Sequence, residues 1–252
     1  MYVMSGLENW NSRKMPFDQY VRQPEPTRKI WRYMSFEKFM YLLHRQTLFF
    51  PQAKKFEDPF EGFYSSLAET SPETELFVIL KTIQNIPNGP SAYCAITCWH
   101  VNDYESTAMW GQYANQGRGI AIQSTVKKLI ENLDFSDVKN VYTGMVSYQR
   151  AEDPPPGDPD GRPQIYDYFC KRESFVHENE FRILCLLKNW DQANKDGGID
   201  IPIINLNELI EKVYISPKSE RWLAELIREI VREKYSLWAE IIQSDLYRHP
   251  FV

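Results

Sequence analysis

The apolar residues of this chain change period many times between residue 29 and residue 243. "KIWRYMS" reads as a short strand from Lys29, and Ser35 at its end is placed to cap a following helix. In "FEKFMYLLHRQ" the residues Phe36, Phe39, Met40 and Leu43 recur at helical spacing. "TLFFP" is a second strand, stopped by Pro51. A helix is predicted from Ser71 to Gln84, with Pro72 in its first turn. "AYCAITCWH" is a buried strand that runs into the polar loop "VNDYE". "STAMWGQYANQGRG" follows as a helix that Gly117 or Gly119 ends. "GIAIQST" is a strand, "VKKLIENL" a helix, and "NVYTGMVSYQ" alternates as one strand. "AEDPPPGDPDGRPQ" is too rich in proline for regular structure, so Asp153 to Pro163 is expected to be exposed and mobile. "IYDYFCKRESF" is predicted helical and "EFRILCLL" a strand. "GIDIPI", "EKVYISP" and "AEIIQSD" complete the strands. "SERWLAELIREIVREKY" is an amphipathic helix with Trp222, Leu223, Leu226, Ile227, Ile230 and Val231 on its apolar face.

Strands and helices therefore alternate irregularly, with no repeat and no long linker. The expected fold class is α+β: a single domain over 29–252, with a central mixed, mostly antiparallel sheet flanked by helices. Residues 1–28 read as a polar N-terminal arm. The closing strand, helix and strand suggest a local parallel unit.

Composition narrows the partners. The chain has 252 residues, 43% of them apolar, enough for a substantial core. Its net charge of -5 does not favour unspecific binding to nucleic acid. The four cysteines and four histidines show no metal-ligand spacing, so no metal is expected. The first residues lack an apolar signal core, and no run has the length of a membrane span. The expectation is a cytoplasmic protein with free thiols and no membrane partner.

Against that background the stretch "ESFVHENEFRIL" stands out. Glu178, Glu180 and Arg182 alternate, so on a strand they share one face, while Phe181, Ile183 and Cys185 make the other face apolar. The plain reading is a solvated strand start with a Glu–Arg pair. Arg32, inside an apolar strand, needs a partner, for which Glu178, Glu180 or a ligand phosphate are candidates. In "FEDPFEG", Asp58, Pro59, Glu61 and Gly62 have the chemistry of a tight turn. Met109, Trp110 and Tyr113 share a helix face, either as core packing or as a stacking platform for a planar ring. Cys98 and His100 lie two apart on a strand, with nothing to mark the thiol as activated. "RGIAIQST" fails the dinucleotide fingerprint, and no P-loop is present.

"FEDPFEG", "CWHVNDYESTAMWGQYA" and "YFCKRESFVHENEFRIL" together resemble the bacterial domain-of-unknown-function family 2971, over about Lys29 to Asp245. That resemblance implies a fold and marked positions, with no reaction attached. The chain also resembles ADP-ribosyltransferases. They carry an Arg or His on an early strand, a Ser/Thr/Tyr strand, and a Glu, often in E-x-E, on a late one. Arg32 in "WRYMS" and Glu178-x-Glu180 in "HENEFRIL" arrive in that order, without a clear Ser-Thr-Ser triplet between them.

The resemblance implies NAD as substrate and no metal. Glu180 and Glu178 become the catalytic candidates, the first for charge at a glycosidic carbon and the second for an acceptor. Arg32, Tyr33, Ser35, Trp110, Tyr113 and Arg182 become the candidates for binding the nucleotide. The acceptor, whether protein or nucleic acid, stays open, as does a role in phage defence or as a toxin. Two other readings remain: a nucleotide-binding regulatory or defence module without catalysis, and a metal-dependent nuclease built on Asp58, Glu61, Glu178 and Glu180.

Overall fold

A computed structural model describes residues 21–58, 61–62, 89–113, 117–150 and 164–247. The predicted helix at 71–84, the proline loop at 153–163 and residues 1–20 of the arm lie outside the described residues. In chain order the elements are β1 (Lys29–Ser35), α1 (Phe36–Arg45), β2 (Thr47–Pro51), β3 (Cys94–Val101), α2 (Thr107–Tyr113) and β4 (Gly119–Thr125). Next come α3 (Val126–Glu131), β5 (Asn140–Met145), β6 (Ser147–Gln149), β7 (Cys170–Arg172) and β8 (Glu180–Leu186). The last are β9 (Gly198–Pro202), α4 (Leu206–Leu209), β10 (Lys212–Ile215), α5 (Arg221–Glu229) and β11 (Glu240–Gln243).

This is the α+β class read from the sequence. Among the described residues the main sheet has seven strands, in the order β11-β10-β4-β1-β3-β8-β5. It is antiparallel at β1–β3, β1–β4, β10–β4 and β5–β8, and parallel at β10–β11. The chain divides into two compact units. The first holds Met1–Pro24, Phe49–Cys98 and Phe135–Asp200, the second Glu25–Leu48, Trp99–Asp134 and Ile201–Val252.

In the second unit β1 pairs along its whole length with β4, from Lys29↔Thr125 to Ser35↔Gly119. Ser35 Oγ accepts the Lys38 amide at 3.4 Å, so it caps α1, whose Phe39, Leu42 and Leu43 are buried. Helix α5 packs differently from its predicted face. Ala224, Ile227 and Val231 form the buried stripe, at spacings of three and four, whereas Trp222 and Leu226 are exposed. A π-helical segment, Ile230–Lys234, follows α5. Parallel β10 and β11, with α5 between them, are the local unit expected at this end of the chain.

In the first unit β5 and β8 pair from Asn140↔Leu186 to Met145↔Phe181. The single strand predicted over Asn140 to Gln149 is broken after Met145. There the Val146 amide donates to the Glu180 carbonyl, and β6 leaves to pair with β7. The helix predicted in "IYDYFCKRESF" is two 3-10 segments, Gln164–Phe169 and Glu173–Glu178, on either side of β7. The reason is burial: Tyr166, Tyr168, Phe169 and Cys170 are all buried, and one face of an α-helix cannot hide so continuous a run. They pack with Ile96 and Leu184 in one apolar cluster. All four cysteines are free thiols. Among the described residues no helix is long and apolar enough to cross a membrane.

Candidate functional site

Strand β8 opens with Glu180, and Arg182 follows on the same face. Glu178 is not on the strand. It ends the preceding 3-10 segment, and Asn179 makes the junction in the left-handed conformation, at φ 38°. The expected alternation of three therefore holds only for Glu180 and Arg182, but the turn at Asn179 returns Glu178 to its neighbour. Glu178 and Glu180 hydrogen-bond to one another.

The surroundings correct the picture of a solvated strand start. Glu178 is 2% exposed, Glu180 5% and Arg182 1%. Phe181, Ile183 and Cys185 close the opposite face, fully buried. Charges this deep must be met by partners. Arg182 donates from Nε to Glu180 Oε2 at 2.6 Å, from Nη1 to the Tyr168 carbonyl at 2.7 Å, and from Nη2 to Glu61 Oε1 at 3.1 Å. Its guanidinium also lies over the Phe56 ring, 5.5 Å from the centroid.

The second cation is Lys171 on β7. Its ammonium hydrogen-bonds to Glu178 Oε2 and stands 3.0 Å from Glu61 Oε1 and 3.5 Å from Glu180 Oε1. It also approaches the Phe175 ring, 4.6 Å from the centroid. The Glu180 amide donates to Tyr148 Oη at 2.9 Å.

Glu61 comes from the "FEDPFEG" turn, which is more than a turn. Its amide donates to the Asp58 carbonyl at 3.2 Å, and Gly62 follows at φ 83°. A Cβ at Gly62 would stand 2.5 Å from Tyr168 Cε1, so glycine is needed both for the angle and for the close approach. Asp58 forms a two-point pair with Arg172, at 3.0 Å and 3.4 Å. The four acids weighed for a nuclease thus part ways. Glu61, Glu178 and Glu180 gather around Lys171, whose ammonium fills the place among them, and Asp58 faces Arg172. Among the described residues no group of three His, Cys, Asp or Glu is arranged to hold a metal.

The electrostatics follow from this cluster. Its three carboxyl groups face one ammonium and one guanidinium, so the formal charge is -1 if all are ionised and zero if one carries a proton. Burial pushes the Glu178 carboxyl up, and its hydrogen bond to Glu180 and the Glu180 charge add to that. Burial also acts to raise Glu180, but the charges of Arg182 and Lys171 outweigh it and bring Glu180 to about 2. Lys171 stays charged: burial opposes this, and the charges of Glu180 and Glu61 overcome it. Two neighbouring carboxyl groups are thus pushed in opposite directions by their surroundings. The Cys98 thiol is pushed up by burial and by Glu180, so it is no thiolate nucleophile.

The other candidates belong to the second unit. Arg32 is half-buried, with its guanidinium 5.9 Å from the centre of the Trp99 ring. Tyr33 and Trp110 pack edge to face at 5.0 Å, in a buried cluster with Trp31, Met109 and Ala121. Tyr33 Oη accepts the Ser106 amide, and burial pushes its hydroxyl up. Ser35 is occupied as a cap, and Tyr113 is 39% exposed. An open groove of about 490 Å³ in this unit, bordered by Thr27, Lys127, Glu131 and Glu208, involves none of these residues.

Sequence reasoning missed Lys171 altogether and weighed Glu61 as a turn residue or a metal ligand, not as a partner of Arg182 and Lys171. Neither has a local signal beyond its charge beside apolar neighbours.

No curated protein matches the sequence. Among solved structures the chain is similar to Thermus sp. 2.9 DarT in complex with NAD+, with 9% identity over 88% of this chain and 97% of that one and a TM-score of 0.39. It is similar also to Thermus sp. 2.9 DarT in complex with ADP-ribosylated ssDNA, with 10% identity over 88% and 96% and a TM-score of 0.39. Likeness this low assigns no ligand or reaction to the present chain. The family described as "Protein of unknown function (DUF2971)" matches residues 109–183, from Met109 in α2 to Ile183 in β8, so the family resemblance read from the sequence holds over that segment.

Proposed function

We propose that the chain is an NAD-consuming enzyme of the ADP-ribosyltransferase type, with Glu180 as the charged catalytic group and Glu178 as its protonated partner. The observation that supports this is the buried, hydrogen-bonded pair of carboxyl groups at the head of β8, one pushed up and the other down. Chemistry at a glycosidic carbon is served by a preplaced carboxylate that meets the positive charge developing there. In the reaction the bond between the ribose C1′ and the nicotinamide nitrogen breaks, and its electron pair leaves with neutral nicotinamide. The positive charge left on the sugar is stabilised by the Glu180 carboxylate. Water or an acceptor group then bonds to C1′ and gives up its proton to solvent water. Glu178, as an acid, donates a hydrogen bond rather than accepting a proton, which suits it to hold an oxygen of the sugar or the acceptor. Arg32 remains a candidate phosphate contact within the second unit.

The test is release of nicotinamide from NAD, followed by chromatography, at a temperature where wild type and Glu180→Gln are both folded. Turnover should fall about a hundredfold in Glu180→Gln, the ordinary effect of one preorganised charge. Unchanged turnover in that variant would overturn the assignment. A second reading, a nucleotide-binding module without chemistry, is favoured by the way cations of the same cluster hold all three of its carboxyl groups. It requires stabilisation by NAD in a melting experiment with no nicotinamide released.

A further inference from the structure

We propose that Glu61 is a further ligand contact of this site, whose oxygen Oε2 accepts a hydrogen bond from the C3′ hydroxyl of the nicotinamide ribose. The proposal rests on the reading of the chain as a protein that binds NAD, and it does not need turnover. An account of the carboxyl oxygens carries it. Lys171 Nζ at 3.0 Å and Arg182 Nη2 at 3.1 Å both meet Oε1 of Glu61. Oε2 of the same group is buried and has no hydrogen-bond partner. No oxygen of Glu178 or Glu180 is left in that position. Glu178 Oε2 meets Lys171, Glu180 Oε2 meets Arg182, and the two carboxyl groups bond to one another. An acceptor closed off from water without a donor is unfavourable, and such an atom calls for a donor from outside the chain.

Glu61 is not free to turn this oxygen elsewhere. Two cations hold Oε1, the Glu61 amide donates to the Asp58 carbonyl at 3.2 Å, and Asp58 is tied to Arg172 at two points. With two cations already on the group, a neutral hydroxyl suits Oε2 better than a third positive charge. Arg182 also sets the geometry. It offers Nε to Glu180 and Nη2 to Glu61, and these two donors lie on one edge of the guanidinium. The two carboxyl groups therefore stand side by side, as the neighbouring hydroxyls of a ribose do. With C1′ toward Glu180, the C2′ hydroxyl falls to Glu180 and the C3′ hydroxyl to Glu61. A ligand must part the side chains over Oε2 to reach it. The hydrogen bond is then made in a surrounding of low dielectric, where it is strong.

The experiment measures binding apart from turnover, by calorimetric titration with carba-NAD, in which a CH2 group replaces the ring oxygen of the nicotinamide ribose. Its 2′-deoxy and 3′-deoxy forms are titrated beside it, into wild type and Glu61→Met. In wild type the 3′-deoxy form should bind about tenfold more weakly than the full ligand, the effect of one hydrogen bond to a charged group. In Glu61→Met the full ligand should lose about the same factor, and removing the C3′ hydroxyl should then cost less than about twofold. The 2′-deoxy form should stay weaker in both proteins. A variant that merely disturbs the fold would weaken all three ligands alike. Equal affinity of the full and 3′-deoxy ligands for wild type overturns the proposal and needs no variant. So does a full 3′-deoxy loss in folded Glu61→Met, or a water molecule that stays on Oε2 in a crystal structure of the carba-NAD complex. If wild type binds no carba-NAD, this contact and the NAD reading fall together. The expected coupling in a protein that releases no nicotinamide from NAD leaves Glu61 in place and refutes only the catalytic reading.

Discussion

Replacing Arg182 by methionine keeps most of the apolar stem and removes the guanidinium. Three hydrogen bonds go with it, to Glu180 at 2.6 Å, to the Tyr168 carbonyl at 2.7 Å and to Glu61 at 3.1 Å. Since the residue is 1% exposed, no solvent is at hand to replace them. The formal count falls from three carboxyl groups against two cations to three against one. Stripping one partner from such a cluster costs about 3–5 kcal/mol, most of it the penalty for the charges left behind. For a chain of this size each kcal/mol moves Tm by about 2–4 °C, so Tm should drop by about 10 °C. Thermal unfolding followed by circular dichroism at pH 7 gives that number. Repeating the scan near pH 4 adds a second condition: protonation then relieves the stranded carboxylates, and the gap to wild type should narrow. Arg182→Lys, which keeps the charge but not the planar fork, should fall between the two. A loss below about 1 kcal/mol at pH 7, with native spectra, would falsify the account. It would mean that water reaches the cluster and screens it.

On the proposal that Glu178 carries a proton, Glu178→Gln should cost less than about 1 kcal/mol, because a neutral amide then replaces a neutral acid and can still donate to Glu180 and accept from Lys171. Glu178 is raised in the fold, so its contribution is full below the unfolded range near pH 4.5 and is lost as pH rises through the folded value. Urea midpoints measured against pH should show that decline in wild type and its absence in Glu178→Gln. Glu180 has the opposite sign. Held at about 2, it stabilises above about pH 4.5, and that contribution is lost as pH falls toward 2, where acid unfolding should set in. Gly62→Ala forces a side chain into the left-handed region and against Tyr168, which should cost about 1–3 kcal/mol; a urea midpoint equal to wild type would show that the turn relaxes freely.

Much of the scaffold was legible because its signals are local. Strand β1 and the Ser35 cap lie where alternation and a hydroxyl before a helical run placed them. The pairing of Glu180 with Arg182 follows from two-residue alternation. Glu178 was misplaced because a left-handed Asn179 breaks that alternation, and asparagine adopts this conformation only where the surroundings favour it. The continuous apolar run around Phe169 imitated a buried helix, since period alone does not separate the two. Glu61 and Lys171 were illegible for another reason. Their meaning lies in a charge balance among residues far apart in sequence, and nothing in a single chain's order states which distant carboxyl will face which lysine.

That distance bears on how the first unit comes together. Glu61 meets Arg182 across 121 positions, and Asp58 meets Arg172 across 114. Joining such remote segments is entropically costly until nearer contacts have shortened the path. The β5–β8 ladder and the β6–β7 pairing are nearer in sequence and give that shortening. On that ordering the charged groups are expected to dock onto a frame already formed. Interactions that arrive after the rate-limiting barrier leave the folding rate almost untouched and act on the rate of unfolding. The cluster at the head of β8 is then expected to work as a clasp: Arg182→Met should speed unfolding and leave the refolding rate almost unchanged.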